Sequence, residues 1–164
     1  MLHYLFKKVE QLLLPERQTN GTRYLEPGDA LRLIYIQILQ LAGQIESHAE
    51  LAPYPQVTAH LRRIAGEKQE IAQRLKQAIE VLPGSVPEEN LQPPATGKNH
   101  WQRLVRDLED QRRLDDLLSR YELRISREFP QVSYILRELK TVDEAHRRLL
   151  GQLIAVADPQ ATQT

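Results

Sequence analysis

The chain is 164 residues long, and its 22 Lys and Arg are balanced by 22 Asp and Glu. Zero net charge excludes a bulk nucleic-acid binder, whose affinity comes from neutralising phosphates with a basic excess, and 41% hydrophobic residues exclude a disordered acidic chain. The absence of Cys excludes disulfides, thiolate metal sites and thiol chemistry, and only 5% aromatics among many Leu, Gln, Glu, Arg and Ala is the make-up of a helical bundle.

Proline removes a backbone donor and clashes with the preceding turn, so the proline-free stretches are the candidate helices. Residues 1–28 read as an N-terminal helix over 2–14 followed by a linker. Leu2, Leu5, Phe6, Val9, Leu12 and Leu13 form its apolar stripe, flanked by Lys7 and Lys8. It is expected to pack on the bundle or on a partner subunit, and its two cations would also suit an anionic membrane surface. Lys7, Lys8 and Glu10 interrupt it, so it reads neither as a signal peptide nor as a membrane span.

Residues 29–157 read as four long helices. The first covers 29–51, with Asp29 as N-cap after Pro27 and Gly28, and places Leu31, Ile34, Ile38, Leu41 and Ile45 on one face. The second covers 55–82, with Val57, Leu61, Ile64, Ile71, Leu75 and Leu82 in its stripe. A Pro-rich connection at 83–97 leads to a third helix at 98–128. The fourth spans 130–157 with Pro130 in its first turn, and its stripe is Val132, Ile135, Leu139, Val142, Leu149, Leu153 and Val156. Residues 158–164 are expected to be a disordered tail. The first and second helices, and the third and fourth, are joined by short loops and should be antiparallel pairs, while the connection at 83–97 is long enough to cross over along a bundle.

Two antiparallel pairs joined by a long crossover resemble the ferritin-like superfamily. The run from Leu61 to Leu75 (LRRIAGEKQEIAQRL) is similar to the second helix of rubrerythrin-type and bacterioferritin-type proteins, and Val142 to Leu149 (VDEAHRRL) is similar to the fourth. The resemblance implies an all-α, antiparallel four-helix bundle with an extra N-terminal helix. In that family one Glu from each of two helices and a Glu-x-x-His from each of the other two hold a pair of metal ions. Here Ile64, Ala65 and Ala72 set a register in which the expected Glu and His fall on Lys68 and Ile71. The fourth helix keeps Asp143 and His146, the first has no acidic residue from Leu31 to Ile45, and the third offers Glu109 and Asp115.

The resemblance therefore implies a bundle whose di-iron site is lost, with no catalytic residues and no cofactor. Its expected role is non-catalytic, through surfaces and assembly, in the cytoplasm, as a homo-oligomer and first of all a dimer. No nucleic-acid partner and no membrane span are expected. The corresponding core polar cluster is Lys68, Gln111, Asp115, Asp143 and His146. Within it Lys68 should pair with Asp143 or Asp115, supplying the positive charge a metal would bring, and Gln111 should hydrogen-bond His146.

Two other readings give the same residues different work. A ferritin-like protein with an atypical iron or manganese site would use Asp143, His146, Asp115 and Glu67. A magnesium-dependent all-α nucleotide pyrophosphatase is similar in its acidic pairs, and would use Glu67 and Glu70 with Asp107 and Asp110. His48 and His60, level across their loop, could form a surface metal site with Glu46 or Glu50. The chain has no Gly-rich phosphate loop and no nucleophile elbow.

Overall fold

The computed structural model describes residues 24–157. The N-terminal helix expected at 2–14 and the tail at 158–164 lie outside them. Four α-helices account for most of the described chain: α1 (Pro27–Glu50), α2 (Pro55–Glu80), α3 (His100–Glu128) and α4 (Ser133–Val156), with a 3-10 turn at Pro130–Val132. No strand occurs among the described residues.

The helix ends correct several expected boundaries. α1 starts at Pro27, two residues earlier than expected, after an extended Glu26 that makes no side-chain cap. Proline presets the dihedral of a first helical residue and has no N–H to leave unsatisfied. Asp29 is thus no N-cap; it sits in the first turn, where a carboxylate favours the positive end of the helix dipole. Pro130 opens the 3-10 turn rather than α4. α3 starts at His100, two residues later than expected, because Asn99 is its cap: the Asn99 side chain accepts the Gln102 N–H at 2.9 Å, and the Gln102 side chain accepts the Lys98 N–H. This is close to a capping box. Asn99→Ala should lower the unfolding free energy by about 1 kcal/mol in urea titrations.

Each helix packs on two others. α1 lies against α2 and α3, and α4 lies against α3 and α2; α1 and α4 face each other diagonally, as do α2 and α3. Cross-helix pairs run in opposite order along α1 and α3, along α2 and α4, and along α3 and α4. Leu25 meets Tyr121 while Gln44 meets Asp107. Glu67 meets His146 while Arg74 meets Glu138. Asp115 meets Arg147 while Glu122 meets Lys140. The α2–α4 side is the most sparsely packed, and polar side chains bridge it.

The buried line of α4 differs from the expected one. Leu136, Leu139, Asp143, His146, Leu150 and Leu153 face the core, whereas Ile135, Val142 and Leu149 lie half-buried on a flank and Val156 is exposed. The true line alternates steps of three and four without a gap, but two of its positions are polar. Among the described residues no helix is long and apolar enough to cross a membrane.

Candidate functional site

The apolar stripes of α2, α3 and α4 are each interrupted by polar residues at mid-height. Lys68 occupies the position between Ile64 and Ile71 on α2 and is fully buried. Its ammonium donates to Asp143 Oδ1 at 2.6 Å, and Asp143 is itself 1% exposed. A charge removed from water in this way requires a partner of opposite sign. Burial pushes the Asp143 carboxyl up, but the Lys68 charge, His146 and the Lys68 hydrogen bond together hold it below the ordinary carboxylate range.

His146, one turn further on α4, donates from Nε2 to Glu67 Oε2 at 2.6 Å. Its Nδ1 lies 3.7 Å from Asp143 Oδ1, an electrostatic contact beyond hydrogen-bond reach. The expected Gln111–His146 bond is not made. Gln111 instead donates to Asp115 at 2.9 Å, one turn along its own helix, and the Glu67 carboxylate outcompetes a neutral amide for the imidazole. Asp115 does not take Lys68; it accepts from Gln111 and Arg147. Burial raises its pKa above the ordinary value, and the nearby Asp143 carboxylate adds to the push. Asp143 Oδ2, His146 Nδ1 and Gln111 Oε1 are buried with no hydrogen-bond partner among the described residues.

A second polar cluster lies between α1 and α3. His48 is buried, not part of a surface metal site with His60, because it continues the α1 stripe one step beyond Ile45. Its Nδ1 faces both Asp107 oxygens at 2.8 and 2.9 Å, and Gln44 donates to Asp107 Oδ1 at 2.9 Å. Burial pushes the Asp107 carboxyl up, and hydrogen bonds from His48 and Gln44 only partly offset that. The signal was present in the sequence: Leu104, Asp107, Gln111 and Leu114 are spaced by three, four and three.

This arrangement separates the acidic pairs of the pyrophosphatase reading. Glu67 is committed to His146, and Asp107 is shut inside with His48. Asp110 pairs with Arg106 and Arg113 on its own helix. Among the described residues no three His, Cys, Asp or Glu side chains are grouped so as to hold a metal ion. The atypical metal set of Asp143, His146, Asp115 and Glu67 is likewise divided between Lys68, Glu67 with His146, and Gln111 with Arg147. No protein-family model matches the chain, and no curated protein matches it.

Proposed function

We propose that the chain is a non-catalytic, ferritin-like helical-bundle protein that works through its surfaces and through assembly, with internal ion pairs standing where the resembled family holds metal. The observation that carries this reading is the Lys68–Asp143 pair: an ammonium with no solvent exposure, 2.6 Å from a carboxylate, at a register position where a metal ligand was expected. The opposite order of cross-helix contacts and the crossover between α2 and α3 support the antiparallel ferritin-like arrangement. Assembly as a homo-oligomer, first of all a dimer, belongs to the same proposal. Exposed Leu51, Tyr54, Leu123, Tyr134 and Val156 supply apolar surface for it. We place the protein in the cytoplasm, in keeping with its cysteine-free sequence.

A metal-binding reading draws on one observation, the three unpartnered buried atoms Asp143 Oδ2, His146 Nδ1 and Gln111 Oε1. Elemental analysis separates the two. Protein purified without chelator and supplied with iron and manganese should carry no stoichiometric metal. Stoichiometric metal that disappears in His146→Ala would overturn the non-catalytic reading.

A further inference from the structure

The crossover between α2 and α3 lies along α1 and is fastened to it by a file of side chains. Arg32 donates to the Pro83 and Ser85 carbonyls, the Tyr35 hydroxyl donates to Glu89, and Gln40 exchanges two hydrogen bonds with the Gln92 backbone. The last fastening is different in kind. His48, 2% exposed, places Nε2 2.7 Å from the Ala95 carbonyl while its Nδ1 faces the Asp107 carboxylate.

A neutral imidazole has one N–H and one lone pair. Here both ring nitrogens face oxygen acceptors. Both bonds form together only when the imidazole and carboxylate hold one shared proton more than a neutral His beside an ionised Asp. That proton can sit on Nδ1 or on the carboxyl, and either placement leaves Nε2–H free for Ala95. When it departs, one of the two oxygens loses its bond. Asp107 is also held by Gln44 and lies within α3, so the group that yields is the loop carbonyl. We propose that His48 is a proton-operated latch: it ties the crossover at Ala95 to Asp107 while the pair keeps its shared proton, and frees residues 93–96 when that proton is lost.

The surroundings set the limits of the motion. From α3 the pair is faced by Arg103 and His100, with Asp110 on the same Gln44 amide. The crossover presents only a carbonyl. α2 contributes no hydrogen-bond or ion-pair partner to His48 among the described residues. Arg103, permanently charged, holds the Gly97 carbonyl, and Gln40 holds Gln92, so the freed stretch is bounded on both sides. Burial of Asp107 acts to keep the proton on the pair.

The test is nuclear magnetic resonance of the full chain between pH 5 and 9.5. Ring nitrogen shifts of His48 report the proton, and carbon-13 relaxation of the Ala95 and Thr96 methyl groups reports the loop. In the wild type, methyl motion should at least double in amplitude over the same titration that removes the shared proton from the His48–Asp107 pair. Asp107→Asn should keep both methyls rigid throughout, because an amide N–H replaces the shared proton and donates to Nδ1. His48→Phe should leave them mobile at every pH. If His48→Phe does not fold, Asp107→Asn alone decides. Methyl relaxation that stays flat while the pair loses its shared proton overturns the latch, as does a pair that keeps that proton to pH 9.5, or an Asp107→Asn chain with wild-type pH dependence.

Discussion

Asp143→Ala should lower the unfolding free energy by about 3–5 kcal/mol, whereas Lys68→Met combined with Asp143→Leu should leave it unchanged or raise it by about 1–4 kcal/mol. The single change strands a fully buried ammonium. Its attraction to Asp143 at 2.6 Å is lost. The double change removes the cost of burying either charge and fills the space with apolar atoms. The pair is also incompletely satisfied, since Asp143 Oδ2 has no hydrogen-bond partner among the described residues. That shortfall favours the apolar replacement further. Urea unfolding followed by far-ultraviolet circular dichroism measures both variants. Equal losses in the single and double variants would mean that Lys68 left without its carboxylate carries no burial cost, and the account of a stranded ammonium would fall.

The same residues show what could be read from the sequence and what could not. The four described helices and their approximate extents followed from proline positions, because a proline's steric veto acts locally. Lys68 opposite Asp143 followed from height along the bundle, because each residue of a helix adds about 1.5 Å of rise and two carboxylates lay within reach at that height. The choice between Asp143 and Asp115 did not follow, because it depends on how α3 and α4 are rotated. Rotation was misjudged for α4, where counting only apolar residues selected Ile135, Val142 and Leu149, a line displaced to the flank of the buried face. Counting Asp143 and His146 as core positions restores an unbroken alternation from Leu136 to Leu153. The His48–Asp107 cluster has a different history: the sequence reading treats His48 as a surface residue beside its loop and Asp107 as half of an acidic pair, although their spacing places both within the stripes. Glu67 as the partner of His146 was not legible, because Glu67 lies at the exposed edge of α2 and reaches inward only through its side-chain length.

The two buried aspartates should bend the stability profile in opposite directions. Asp143 is held below its ordinary value of 3.8, so the unfolded chain binds more protons than the native one between the two pKa values. Its contribution is present above about pH 4 and is lost as the pH falls through the native pKa. Asp107 is raised above 3.8 by burial, so the native chain keeps the extra proton. Its contribution is complete below about pH 4 and is lost as the pH rises through the native value. A tenfold difference in proton affinity between the native and unfolded chains corresponds to about 1.4 kcal/mol. Urea unfolding from about pH 2.5 to 8 should therefore show a shallower acid limb in the Lys68→Met, Asp143→Leu chain than in the wild type. It should show a smaller loss of stability above pH 4 in Asp107→Asn. Some acid sensitivity must persist in both, because Arg74 lowers Glu138 at the surface and the Tyr35 and Lys76 hydrogen bonds lower Glu89. An acid limb flattened by Asp107→Asn would mean that the bonds from His48 and Gln44 outweigh burial at Asp107.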